Sequence, residues 1–168
     1  MRSNVAYFRP AMLAGLILAV INFSPGLFLL NCFCCAGFFL GGVLAVVFYK
    51  MDLPEEQKIM NADGLYLGIW TGIFAAGFET VLDLTIGPFV IDLKIAMVEG
   101  VMKAVLGSFQ MPNDLSDLIN QAIAETKHPG LASTLVGFIL GIIRNSIFTI
   151  AGGLLTTAVI QKRKSKQG

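Results

Sequence analysis

The chain alternates long apolar runs with short polar segments. The apolar runs cover residues 11–49, 64–87 and 131–160. A membrane-spanning helix needs about 20 apolar residues, so the first run is too long for one span. It contains Asn22-Phe23-Ser24-Pro25-Gly26, whose proline and glycine are typical of a turn. The pattern predicts an all-α integral membrane protein with one domain, 1–168, and four transmembrane helices. They are expected at about residues 8–24, 30–49, 64–87 and 131–160.

Two features of the N-terminal half leave alternatives. The first helix is short, so a re-entrant hairpin is a second interpretation of residues 8–49. Arg2 and Arg9 precede an apolar run, as in a secretory signal, but no small-x-small cleavage site precedes Ser24. We therefore expect this segment to be retained as the first membrane helix.

Small residues recur four positions apart in every apolar run. The series are Ala11/Gly15/Ala19, Gly37/Gly41/Ala45, Gly64/Gly68/Gly72/Ala76 and Ser133/Gly137/Gly141. Four-residue spacing places each series on one helix face, where missing side chains let another helix backbone approach closely. The spacing predicts a glycine-zipper bundle of four helices packed by small-xxx-small contacts.

An amphipathic segment, about residues 92–126, connects the third and fourth predicted helices. Apolar residues recur at helical spacing from Val98 to Phe109, Pro112 interrupts them, and His128-Pro129-Gly130 ends the segment. Helices with one apolar face need a cover. We expect this outer segment to rest on the bilayer surface, on the bundle or on a partner.

The distribution of lysine and arginine predicts the orientation. Four spans place most of these residues on one side: Arg2, Arg9, Lys50, Lys58, Lys162, Arg163, Lys164 and Lys166. The other side carries Lys94, Lys103 and Lys127. Cytoplasmic loops carry an excess of positive charge, so both termini are expected in the cytoplasm.

Composition supports a membrane protein and excludes several functions. The 168 residues are 55% hydrophobic and 14% charged, with a mean hydropathy of +0.75, whereas soluble domains have about 25% charged residues. A net charge of +1 gives no indication of nucleic-acid binding. The sequence has no Ser-His-Asp spacing and no phosphate-binding loop, so we expect no enzymatic activity and no cofactor.

Three charged residues within the predicted spans form the main candidate site. Glu79 and Asp83 lie four positions apart on the third helix, and Arg144 lies at comparable depth on the fourth. Intramembrane charges cost roughly 2.5–3.5 kcal/mol at mid-bilayer and are normally paired or hydrated. Three interpretations follow: a structural clamp in which Arg144 bridges both carboxylates, a proton or ion site, and an Arg144 that binds a lipid phosphate.

A cysteine group forms a weak metal candidate. Cys32, Cys34 and Cys35 lie at the entry to the second helix, and His128 is the single histidine. A zinc site usually has four ligands. The three cysteines could supply a fourth ligand only together with His128, which lies far along the sequence. Acylation and a disulfide are alternatives, and the simplest interpretation is small apolar residues that pack a helix start.

The layout resembles small bacterial four-span membrane proteins of unknown function. The matching features are Gly64-Leu65-Tyr66-Leu67-Gly68, the outer stretch 92–127, and a last helix that ends Ile160-Gln161-Lys162-Arg163-Lys164. Asn31-Cys32-Phe33-Cys34-Cys35 and Gly41-Gly42 are similar to the first hairpin of other such proteins. The resemblance implies the fold and a location in the bacterial inner membrane, and it implies no activity.

Two functions of different kinds are therefore expected from the sequence. The first is a non-enzymatic assembly or accessory protein, in contact with membrane lipids, that forms homo-oligomers or joins other membrane subunits. The alternative is a small transporter or channel component that uses Glu79, Asp83 and Arg144. Lipid handling, through the outer segment and Arg144, is a third and weaker possibility.

Overall fold

The protein is helical throughout the part of the chain that the computed structural model describes, residues 5–24, 36–54, 57–106 and 130–165. Its helices are α1 (Val5–Phe23), α2 (Ala36–Asp52), α3 (Asn61–Thr85), α4 (Gly87–Leu106) and α5 (Leu131–Ser165). The prediction of an all-α protein is confirmed for these residues.

Most predicted helix boundaries lie within a few residues of those observed. α3 begins three residues before the predicted start because Asp63 lies inside its first turn, where its carboxylate accepts the Met60 backbone N–H at 2.7 Å. α5 continues to Ser165, since lysine and arginine are good helix formers. The predicted start of the second helix, residues 30–35, lies outside the described residues.

The outer segment is described only in its first part. α4 begins at Gly87, with Pro88 in its first turn where a missing N–H is tolerated, and it packs against α3 among the described helices. The rest of the predicted segment, residues 107–126, lies outside the described residues.

Two of the described helices are long and apolar enough to cross a membrane. They are Asn61–Thr85 and Leu131–Arg163, and a shorter apolar helix covers Tyr7–Phe23. The predicted four transmembrane helices are thus supported for two helices. Within the described residues, α1 and α2 have 19 and 17 residues, fewer than an average span of about 20.

α3 is the central helix of the bundle. It packs against α1, α2 and α5, while α2 also packs against α1 and α5. Small side chains dominate the contact of α1, α2 and α3, where Ala11, Ala14 and Ala45 are fully buried around Leu67. These alanines let α1 and α2 approach one face of α3 closely, while Tyr66, Trp70 and Val81 leave another face of α3 exposed.

One end of the bundle is closed by polar and aromatic contacts. The Tyr7 hydroxyl of α1 donates to Asp63 Oδ1 at 2.6 Å, and the Tyr7 ring stacks on Tyr49 of α2 at 5.1 Å between centroids. Gln161 of α5 donates to the Ile59 carbonyl at 3.0 Å. The start of α1, the end of α2, the start of α3 and the end of α5 therefore meet at this end.

Replacing Tyr7 with phenylalanine tests this closure. Tyr7→Phe keeps the stacked ring but removes a hydroxyl donor from the buried Asp63 carboxylate, so we expect a loss of about 1–3 kcal/mol in the free energy of unfolding. The measurement is helical circular dichroism in mixed micelles with increasing SDS. Tyr66→Phe is the control, because Tyr66 is 53% exposed. Equal stability of both variants would contradict a role for this hydrogen bond.

Candidate functional site

Glycines of α3 bring its backbone against that of α5. A Cβ at Gly68 would lie 2.5 Å from Ile150 Cα, one at Gly72 would lie 2.6 Å from Ser146 Cα, and one at Gly64 would lie 2.7 Å from the Gly153 carbonyl oxygen. No larger residue fits at these separations. The contacts run in opposite directions along the two helices, so α3 and α5 are antiparallel and in a defined register.

The other predicted packing glycines divide into two groups. Cβ atoms at Gly15 and Gly41 would lie 2.8 Å from Phe74 Cβ and from Leu18 Cδ2, and Gly37 is buried. A Cβ at Gly141 would make an ordinary 3.6 Å contact with Ala76, and one at Gly137 would meet nothing within 4 Å in the described residues. The first half of α5 therefore does not use its small residues as the second half does.

Sequence reasoning missed the glycines that join α2 to α5. A Cβ at Gly42 would lie 2.8 Å from Gly153 N, and one at Gly152 would overlap the Phe39 carbonyl oxygen. A signal was present, because Asn145, Thr149, Gly153 and Thr157 recur every four residues and all are buried. This spacing places them on the face of α5 that packs against the bundle.

A buried carboxylate joins three helices at the end of the bundle opposite Asp63. Glu79 of α3 accepts hydrogen bonds from the Asn22 side-chain amide of α1 and, at 3.2 Å each, from Arg144 Nη2 and Asn145 Nδ2 of α5. Its side chain is 14% exposed. Three donors satisfy the carboxylate, as burial of a charge requires.

Arg144 connects this carboxylate to α2 and to the surface. Its Nε donates to Asn145 Oδ1 at 3.2 Å, and the guanidinium carbon lies 4.7 Å from the Phe38 ring centroid. A cation over an aromatic face is attracted by the ring quadrupole. The Arg144 side chain is nevertheless 52% exposed, so the guanidinium is held on one side and open on the other.

The structure pairs two of the three charged residues that were predicted to form a site. Glu79 and Arg144 form an ion pair, while Asp83 lies one turn further along α3 at an exposed position. Asn22 and Asn145 complete the cluster and were not predicted. Asn22 lies in the last turn of α1, inside the helix predicted at residues 8–24.

Buried hydroxyls of α3 and α5 make contrasting contacts. Thr149 Oγ1 donates to the Gly68 carbonyl of α3 or to the Asn145 carbonyl of its own helix, at 2.7 Å each. Thr71 Oγ1 is buried and has no hydrogen-bond partner within the described residues. Thr149 therefore reinforces the glycine contact, whereas Thr71 contributes packing alone.

Neither the metal candidate nor a cavity at the other end of the bundle adds to the Glu79 cluster. Cys32, Cys34, Cys35 and His128 lie outside the described residues, in which no group of three or more His, Cys, Asp or Glu side chains is placed to hold a metal ion. A cavity of about 520 Å³ lies at the other end of the bundle, where Lys50, Leu53 and Ile160 line it. Pro54 and Gln57 also line it, and residues 55–56 between them lie outside the described residues.

The fold and the cluster define the class as an all-helical protein with two candidate membrane-spanning helices and a carboxylate–guanidinium cluster at one end. Such a cluster can clamp helices, exchange a proton, bind a small cation at Glu79, or bind an anion at Arg144. Comparison with known proteins shows no matching family model, no matching curated protein and no matching solved structure.

Alanine substitutions at two α3 glycines should have different effects. Gly72→Ala forces a Cβ against the Ser146 backbone, and overpacking costs about 1–3 kcal/mol in the free energy of unfolding. Gly77→Ala is the matched control, because a Cβ there meets nothing within 4 Å in the described residues. We expect no loss at Gly77, or a small gain from helix propensity. SDS unfolding measures both, and a Gly72→Ala protein as stable as the Gly77→Ala protein would refute the close contact.

Proposed function

We propose that the chain is a non-enzymatic integral membrane assembly or accessory protein, which self-associates or is a small subunit of a larger membrane complex. The observation that carries the proposal is the unoccupied surface around Gly137 on α5. A Cβ there would meet nothing within 4 Å in the described residues, although most glycines of α3 and of the second half of α5 contact another helix.

The first half of α5 is apolar, and the described residues leave it largely uncovered. Leu135, Val136, Ile139 and Leu140 are each more than half exposed. In a bilayer, large apolar side chains on a helix surface face lipid without further explanation. A glycine among them is different, because it weakens the helix and leaves a groove that another backbone can enter. Gly137 therefore favours a helix of a second subunit over lipid alone.

The distribution of positive charge supports a membrane location with both termini in the cytoplasm, and the resemblance of the sequence to small bacterial membrane proteins is the ground for proposing the bacterial inner membrane. Arg9, Lys50, Lys58 and Lys162 belong to the helix ends that meet around Tyr7 and Asp63. Positive residues concentrate on the cytoplasmic side of membrane proteins. This end of the bundle would then face the cytoplasm, and the Glu79 cluster would lie towards the opposite face.

Native mass spectrometry of protein extracted gently from its own membrane tests the assembly. We expect a defined homo-oligomeric or heteromeric mass, and Gly137→Leu should reduce its abundance at least tenfold by filling the groove. Ile139→Phe is the control: Ile139 is exposed, and it lies about 200° around the helix from Gly137. A wild-type monomer, or equal assembly in all three proteins, would refute the proposal.

A second candidate, a small transporter or channel component, is favoured by one observation. Glu79 is 14% exposed and receives donors from two other helices, so a change in its protonation or in a bound cation would alter contacts between α1, α3 and α5. The site would comprise Glu79, Asp83 and Arg144.

Ion-flux assays on reconstituted protein test this second candidate. We expect a pH- or ion-dependent flux that Glu79→Gln abolishes, because glutamine keeps the side-chain shape without the charge. Asp52→Asn is the control, since Asp52 is an exposed carboxylate at the end of α2, far along the bundle from Glu79. No flux in the wild type, or unchanged flux in Glu79→Gln, would exclude transport through this site.

A further inference from the structure

Within the described residues, the guanidinium of Arg144 has donors without a partner on the outside of the bundle. A guanidinium carries five N–H groups, and the contacts to Asn145 and Glu79 account for two of them. Phe38 covers one face of the group. The half-exposed side chain therefore offers further donors away from the bundle, and its geometry is already held by three contacts.

Glu79 balances only part of the Arg144 charge. A bidentate carboxylate–arginine pair has two parallel N–H···O bonds, whereas this pair has one contact, at 3.2 Å. The same carboxylate also accepts from the Asn22 and Asn145 amides. Its oxygens are thus shared among three donors, and a second anion would complete the coordination of Arg144.

Arg144 lies where lipid phosphate groups are expected. Its neighbours on the same face of α5, Leu140 and Ile147, are each more than half exposed, as suits contact with hydrocarbon. Asp63 and Glu79 are separated by about 24 Å of helix, and a hydrocarbon core is about 30 Å thick. With Asp63 at one interface, Glu79 and Arg144 lie about 6 Å inside the opposite edge of the core, from which a long side chain reaches the headgroups, and Gly137 lies at headgroup level.

We propose that Arg144, oriented by Asn145, Glu79 and Phe38, binds a phosphate group, supplied by a membrane lipid, at this end of the bundle. The inference rests on the proposed membrane location and not on the proposed assembly. Arginine suits this role because its planar donors match two phosphate oxygens, which a lysine ammonium does not.

Native mass spectrometry with defined lipids tests the site. Purified protein in detergent is titrated with phosphatidylglycerol, and in a separate arm with inorganic phosphate. We expect wild-type protein to retain one lipid that Arg144→Gln binds at least tenfold more weakly, because a charge-assisted contact is lost. Arg144→Lys should be several-fold weaker than wild type. Lys162→Gln is the control, since Lys162 is an exposed cation at the other end of α5.

Each outcome of the titration decides one point. Equal lipid retention by wild type, Arg144→Gln and Arg144→Lys would overturn the site. Arg144→Lys keeps the positive charge, so it decides the matter if circular dichroism shows that Arg144→Gln has lost its helices. Binding of inorganic phosphate without lipid would keep the phosphate chemistry and reject the lipid as its source. Recovery of the protein outside the membrane fraction would instead refute the proposed membrane function.

Discussion

The close contact between the backbones of α3 and α5 determines much of the arrangement. Lipid tails are as apolar as leucine, so helices in a bilayer associate through packing and hydrogen bonds and not through the hydrophobic effect. Gly64, Gly68 and Gly72 allow that packing, and Thr149 adds a hydrogen-bonding hydroxyl directed at the Gly68 carbonyl. Because the contacts recur after four residues on α3 and after three or four residues on α5, the register continues towards the end of α3, where it places Glu79 beside Arg144.

Polar side chains tie the bundle at its two ends. Asp63 is held by Tyr7 and by the start of its own helix, and Glu79 is held by Asn22, Arg144 and Asn145. Between them the contacts of α3 with α1 and α2 are mainly alanine, glycine and leucine. A buried carboxylate is costly without hydrogen-bond donors. Each end of the bundle is therefore stable only when the neighbouring helices bring their donors to the carboxylate, whereas the middle requires only close packing.

The proposed assembly surface and the proposed lipid site share one face of α5. Gly137 and Arg144 are two turns apart, and seven residues rotate a helix to within about 20° of the starting direction. A second subunit at Gly137 would therefore lie beside a lipid bound at Arg144. The lipid contact at Arg144 and the subunit contact at Gly137 would be about 10 Å apart along α5.

The sequence by itself determined the helices and the residues that need partners. Apolar runs and their breaks indicated α1, α3 and α5 to within a few residues. A lone intramembrane charge is costly, so the sequence also indicated that Glu79 and Arg144 would pair. It indicated a short first helix, at about residues 8–24, and a second at about residues 30–49, of which residues 30–35 lie outside the described residues. Spacing of four defines a face of one helix but not which helix covers it. Only the tertiary structure decided that Gly42 and Gly152 join α2 to α5, that Asn22 and Asn145 reach Glu79, and that Gly137 contacts no described helix, because these depend on the rotation and register of several helices packed together.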